Sequence, residues 1–302
     1  MRKLIILAVV GLAAQLVDGS LGMGYGVTSS TLLVLVGLTP AAASASVHIS
    51  ELGTNIASGL SHWKLKNVDW KVVSRIAGPG AIGAFLGATV LSHLSTEWAK
   101  PIMSAILAGL GIYIIVRFIL GVRPQLKKQL TVKFLAPLGL FAGFVDATGG
   151  GGWGPVATPA LLADGRMEPR KVIGSIDTSE FAVSAAASVG FIIGLGTAGV
   201  NWAFAVALLA GGLIAAPLAA YLVKVAPAHL LGVAVGGVIL LTNARTLLVS
   251  FGASDSIRWV VYAAILLLTI GALYVAVLRN KRQAGRGRTA DEKADVAEAV
   301  TV

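Results

Sequence analysis

Long runs without a single Lys or Arg dominate this chain: Leu4–Trp63, Ile76–Ala99, Phe134–Gly165, Val172–Val223, Val225–Ala244 and Trp259–Leu278. A membrane-spanning helix needs ~20 predominantly apolar residues. Seven uninterrupted segments meet that length: 40–62, 72–93, 100–119, 172–194, 203–223, 228–248 and 258–279. Two further apolar stretches, 4–37 and 134–163, are broken in the middle by glycine, as GSLGMGYG (Gly19–Gly26) and TGGGGWGP (Thr148–Pro155). Only 13% of the 302 residues are charged, against ~25% in soluble domains, and the mean hydropathy is +0.84. Lipid, not water, is the main solvent of such a chain. The absence of cysteine excludes disulfides, thiolate metal sites and iron–sulfur clusters. A net charge of +10 raises the question of nucleic acid. Here the charges sit at segment ends, so they read as membrane topology and no nucleic-acid partner is expected. Arg2 and Lys3 before an apolar run also fit a signal peptide over residues 1–22. No polar domain follows, and the glycine break has a counterpart later in the chain, which favours a membrane segment.

That counterpart reveals a duplication. At a shift of 128, AQLVDGSLGMGYGVTSSTLL (Ala14–Leu33) falls on AGFVDATGGGGWGPVATPAL (Ala142–Leu161). Asp18 meets Asp146, and Gly22, Gly24 and Gly26 meet Gly150, Gly152 and Gly154. Tyr25 meets Trp153. At a shift of 129, SVHISE (Ser46–Glu51) falls on SIDTSE (Ser175–Glu180), pairing Ser50 with Ser179 and Glu51 with Glu180. Shared Gly/Ala composition explains coincident glycines. It does not explain buried acidic residues recurring in register. The expected fold is an all-α polytopic helical bundle of two homologous halves, each a glycine-broken segment followed by three spans. The division is 1–122 for the first repeat, 123–133 for a cytoplasmic linker and 134–250 for the second repeat. An extra span over 251–279 and a disordered cytoplasmic tail over 280–302 complete it.

Basic residues orient such a bundle, because they concentrate in cytoplasmic loops. If each broken segment returns to its own side, the halves are inverted, with nineteen Lys/Arg inside and five outside. If each broken segment crosses fully, the halves are parallel and the division falls to thirteen and eleven. A mixed arrangement, in which the first broken segment alone crosses, gives twenty-one and three. It ranks second because two repeats should share one fold. Inverted repeats with broken helices meeting at mid-membrane are a transporter architecture.

Five of the fourteen acidic residues lie inside apolar segments: Asp18, Glu51, Asp146, Asp177 and Glu180. A carboxylate at the bilayer centre costs ~2.5–3.5 kcal/mol on insertion scales, so each is a functional candidate. Glu51 is the twelfth residue of its span and Glu180 the ninth of its own, which places both near mid-depth. His48 with Glu51, and Asp177 with Glu180, are three residues apart and share a helix face. Ser50, Ser179, Thr178, Thr54 and Asn55 add hydroxyls and an amide. Asp18 and Asp146 precede the breaks, where a carboxylate can instead accept free backbone N–H groups. Each break ends where a half-helix should begin, and a helix N-terminus suits an anion. Gly22, Gly24, Gly26, Gly150, Gly151, Gly152 and Gly154 would let a ligand approach the backbone. Thr28 would add a hydroxyl, and Tyr25 and Trp153 would wall the site or simply pack the turn. GGGGWG is not a nucleotide fingerprint, since no strand precedes it, and no cofactor is expected.

In VDGSLGMGYGV (Val17–Val27), VDATGGGGWGP (Val145–Pro155) and the Ser-Glu spans that follow them, the chain resembles the sulfite exporter TauE/SafE family. The resemblance runs over about residues 4–279. It implies a multi-pass cell-membrane transporter for sulfite, sulfoacetate or related organic anions. The first glycine copy is poorer in glycine, and His48 stands where the second half has Asp177.

Three other functions compete. The same carboxylates, with His48, suit a cation or metal-ion transporter. An intramembrane enzyme is disfavoured, because H-E-x-x-H and G-x-S-x-G are absent and His62, His93 and His229 lie at span ends. A purely structural membrane protein would have little use for buried acidic pairs. The expected partners are a small anionic substrate, the bilayer and protons, with no catalytic residue and no metal ligand set. The topology is testable. A single cysteine at position 2 of this cysteine-free chain should be labelled by an impermeant thiol reagent from outside the cell. Labelling from the cytoplasm only would contradict inverted halves.

Overall fold

The computed structural model describes residues 2–21, 23–120, 130–164, 167–222 and 228–299. Among them are eleven α-helices: α1 (Arg2–Leu21), α2 (Tyr25–Leu35), α3 (Pro40–Lys64), α4 (Trp70–His93), α5 (Thr96–Leu120), α6 (Val132–Gly149), α7 (Trp153–Asp164), α8 (Pro169–Leu195), α9 (Trp202–Leu222), α10 (Ala228–Ser250) and α11 (Asp255–Ala299). Among the described residues, each of the seven uninterrupted apolar segments is a helix. Six stretches are long and apolar enough to cross a membrane: Trp70–His93, Thr96–Arg117, Val132–Gly149, Arg170–Leu195, Trp202–Ala219 and Asp255–Leu278. α3 is as long as these, but Ser, Thr, His, Glu and Asn residues interrupt its apolar sequence.

Local chemistry sets the helix ends. Thr39 caps α3 by accepting the Ala42 N–H at 3.3 Å, with Pro40 pre-set for the first turn. Asp69 caps α4 by accepting the Lys71 N–H at 3.0 Å. α6 stops because Gly150 adopts a left-handed φ of 73° that a side chain would oppose. The two glycine breaks therefore appear as expected, one between α1 and α2 and one between α6 and α7. Their arms are unequal, 20 and 11 residues in the first pair and 18 and 12 in the second. α11 carries the last of these candidate spans, Asp255–Leu278.

Helices approach closely where both surfaces are small, as lipid-embedded packing requires. Gly83 and Gly87 of α4 lie against α6 at Leu140 and Phe144, and Gly139 and Gly143 of α6 lie against Ile76 and Gly80. α4 and α6 are thus parallel. α1 and α9 form the equivalent parallel seam, with Gly11 against Leu208, Gly19 against Ala219 and Gly211 against Ala8. α4 and α8 also run parallel, from Gly80 beside Val183 to Ser92 beside Gly194. α3 and α8 run antiparallel: Gly59 lies against Thr178, while Glu51 meets Ser184. The buried apolar residues fall into two clusters, one around Trp153 of α7 and one around Tyr25 of α2.

A Cβ at Gly143 would strike the Gly80 carbonyl oxygen, whereas Gly271 on α11 has open space. Alanine favours a helix over glycine by ~1 kcal/mol, and overpacking costs about 1–3 kcal/mol. Gly143→Ala should therefore lower the thermal unfolding midpoint in detergent, and Gly271→Ala should leave it unchanged or raise it. Equal midpoints for both variants would count against the seam.

Candidate functional site

The glycine breaks meet. Gly151 lies directly against Gly26 and Val27, and the Ser30 hydroxyl donates to the Gly150 carbonyl across the two breaks. Gly24, Gly150 and Gly151 have φ of 128°, 73° and 147°, values that glycine adopts readily. Gly152 and Gly154 are buried with them. Gly22 lies outside the described residues.

Backbone that leaves a helix inside a bilayer must be hydrogen-bonded by protein. Asp146 does this in the second half: its Oδ1 accepts the N–H groups of Gly152 at 2.6 Å and Trp153 at 3.0 Å. Asp18 does it in the first half, accepting the Tyr25 N–H at 3.3 Å. The first-turn amides expected to face an anion thus donate to the chain's own carboxylates in this conformation. The aromatic pair is equivalent as well. Trp153, fully buried, donates from Nε1 to the Ile176 carbonyl at 3.0 Å, which also accepts from Ser179 Oγ at 2.7 Å. Tyr25 Oη lies 3.0 Å from Ser50 Oγ, which itself donates to the Val47 carbonyl. Both aromatics tie a half-helix to the long helix that follows it.

The surroundings of the two breaks then differ. His48 Nε2 is 3.1 Å from Asp146 Oδ2, and its Nδ1 is 2.8 Å from the Ser44 carbonyl. A carbonyl only accepts, so Nδ1 carries a proton. A proton must then lie between Nε2 and Oδ2, on one atom or the other. The pair is completely buried, and Ser44 Oγ donates to the Ala147 carbonyl beside it. Asp177, in the position equivalent to His48, has no such partner. It is 3% exposed, and its polar neighbours are the Ser58 hydroxyl and, at 4.0 Å, His62 Nε2.

The other acidic residues gather between α1, α3 and α8. Glu51 Oε2 accepts from Ser184 Oγ at 3.0 Å, and Glu51 borders the break at Gly26. Asp18, Asp177 and Glu180 bring one carboxylate oxygen each within 4.8 Å of one another. Among the described residues no Lys or Arg forms an ion pair with any of these four carboxylates. Asn55 is buried with its Nδ2 unpaired, and the Thr28 hydroxyl is likewise unpaired. A cavity of about 390 Å³ lies alongside, lined by Asn55, Gly59, Trp63, Trp70, Thr178 and Ser179.

Sequence reasoning missed three contributors. Ser184 bonds Glu51, Ser44 orders His48, and His62 Nε2 lies 4.0 Å from Asp177 Oδ2. A helical stripe was the available signal. His48, Glu51, Asn55, Ser58 and His62 recur at steps of three and four on α3, and Asp177, Glu180, Ser184 and Ser188 do so on α8. All nine are buried.

The buried polar seam lies in a bundle that holds six helices long and apolar enough to cross a membrane, as a multi-pass membrane protein does. The profile of the sulfite exporter TauE/SafE family matches residues 7–246, and the chain belongs to that family. It is 51% identical over 281 residues, 92% of each chain, to a Bacillus subtilis protein named probable membrane transporter protein YtnM. A Haemophilus influenzae probable membrane transporter protein is 28% identical over 186 residues, 57% of this chain and 67% of the relative. A second Bacillus subtilis protein, named probable membrane transporter protein YunE, is 25% identical over 231 residues, 68% of this chain and 84% of the relative. No solved structure matches the chain.

The geometry ranks the two break carboxylates. Asp18→Ala should cost about 1 kcal/mol, the usual value of a helix cap. Asp146→Ala should cost about 3–5 kcal/mol, because it also strands a buried partner. Thermal unfolding in detergent checks the order, and an equal or reversed order would contradict the capping assignment.

Proposed function

We propose that the chain is a secondary transporter exporting a small oxyanion or organosulfonate, built as two inverted halves and coupled to protons through Glu51 and Glu180. The observation that carries the reading is the meeting of the two breaks between α3 and α8. Glu51 and Glu180 are each the twelfth residue of their helix; Glu51 borders Gly26, and Glu180 lies with Asp18 and Asp177. Inversion is supported by residue pairing: the equivalent helices α3 and α8 run antiparallel, and α6 runs parallel to α4. The family's name supplies the substrate class.

Substrate would meet the half-helix N-termini near Tyr25, Gly26, Thr28, Trp153 and Gly154, with Ser50, Ser179 and Asn55 as hydroxyl and amide donors. For the first-turn amides to bind an anion, Asp18 or Asp146 must release them. Protonation of a carboxylate weakens its hold on an N–H donor, so proton uptake and amide release go together. Protonated Glu51 and Glu180 would also present no negative charge to the substrate. Cation transport is the second reading, favoured by the grouping of Asp18, Asp177 and Glu180.

The test is flux in proteoliposomes with sulfite, sulfoacetate and candidate cations as competing solutes. Glu51→Gln and Glu180→Gln should each abolish the dependence of anion flux on a pH gradient while the protein remains monodisperse. Unchanged pH-dependent flux in both variants would refute the coupling role. Competition by cations alone would favour the second reading.

A further inference from the structure

Away from the glycine breaks, α10 and α11 form an antiparallel pair joined by a short turn at 251–254. Gly237 of α10 lies against Thr269 of α11, so the two helices touch there. Nearer the turn a cavity of about 800 Å³ lies between them, with Leu35 at the end of α2 as its third side. The register that pairs Gly237 with Thr269 sets Arg245 level with Tyr262. Arg245, Trp259 and Tyr262 line the end near the turn, and Leu241 and Leu266 line the deeper end. The Trp259 and Tyr262 rings meet edge-on, with 5.8 Å between centroids. From Trp259 to Leu266 the groove runs about 10 Å along α11, at a rise of ~1.5 Å per residue.

Arg245 is exposed, and among the described residues it forms no ion pair and no side-chain hydrogen bond. Arg258, across the turn, is already engaged: its Nη1 is 3.1 Å from Asp255 Oδ1, and its Nε donates to the Ala253 carbonyl at 2.8 Å. A free guanidinium fits a phosphate with two parallel N–H donors. We propose that the groove holds one anionic phospholipid, its phosphate on Arg245, its head group beside Trp259 and Tyr262, and an acyl chain along Leu241 and Leu266. Trp and Tyr belong at head-group level, and basic pockets between membrane helices take anionic head groups. A free inorganic anion would leave the aliphatic half of the groove unfilled. A second copy of the chain would have to bring a carboxylate to Arg245, and Asp255, the acidic residue at the start of α11, is already paired. The occupant would also touch α2, since Leu35 is its last residue. Asn243 of α10 donates to the Thr31 hydroxyl of α2 at 2.9 Å, on the same side. A bound lipid would therefore brace the half-helix that carries Tyr25 and Gly26.

The test needs no transported substrate. Full-length protein is delipidated in detergent and incubated with mixed micelles holding equal amounts of phosphatidylglycerol and phosphatidylcholine. Mass spectrometry of the intact complex counts the lipids retained per chain. Wild type should retain one phosphatidylglycerol, favoured about fivefold over phosphatidylcholine, the usual worth of one basic contact to an anionic lipid. Arg245→Gln should bring the two lipids to equal retention. Lys71→Gln, which removes an exposed cation at the start of α4, should leave the preference unchanged. Leu266→Trp, which fills the deeper end of the groove, should reduce retention of both lipids, and size-exclusion profiles exclude misfolding. Excess inorganic phosphate should not displace the lipid. Four results would each overturn the proposal: equal retention of the two lipids by wild type, an unchanged preference in monodisperse Arg245→Gln, displacement by inorganic phosphate, or a stable dimer that Leu266→Trp dissociates. None of them bears on anion transport.

Discussion

Opening a helix inside a bilayer strands backbone N–H and C=O groups where no lipid can satisfy them. Much of this architecture follows from how Asp18 and Asp146 meet that demand. Each carboxylate closes a glycine break by accepting amides from the next half-helix. Because the breaks are held in this way, they can touch, Gly151 against Gly26, deep among α3 and α8. Because they touch there, the acidic faces of α3 and α8 are brought to the same point. An uncharged cap could have satisfied the same amides. Carboxylates can also change protonation state, so the groups that hold the breaks shut are groups that can release them.

The two breaks are held asymmetrically. Asp146 carries three interactions, two amides and His48, while Asp18 carries one long one. The second half's break is the more firmly anchored. The carboxylates freer to respond to a ligand or a proton gather near the first half's break, at Asp18, Glu51, Asp177 and Glu180. A residue difference of one position, histidine against aspartate, separates a sealed pair from an open acidic group.

Much of this was legible in the sequence, for identifiable reasons. Apolar runs and their glycine interruptions are local features, so both breaks and the segments 40–62, 72–93 and 172–194 could be read directly, and each segment lies inside a helix. The double role open to Asp18 and Asp146 was also visible, because a carboxylate just before a break has amides within reach. What could not be read was contact across the repeat. His48 meets Asp146 over 98 positions and Ser184 meets Glu51 over 133. No local periodicity encodes such distances. His62 was passed over because a histidine at a span end ordinarily faces the head groups. Here the stripe through Glu51, Asn55 and Ser58 continues inward to it.

The glycine-lined seams bear on how such a molecule can move. α1 of the first half is fastened along its length to α9 of the second, and α6 of the second to α4 of the first. Sliding one sequence half past the other would drive backbone into backbone along both seams at once. The close-packed pairs are therefore mixed, α1 with α9 and α4 with α6, each joining a helix before residue 123 to one after it.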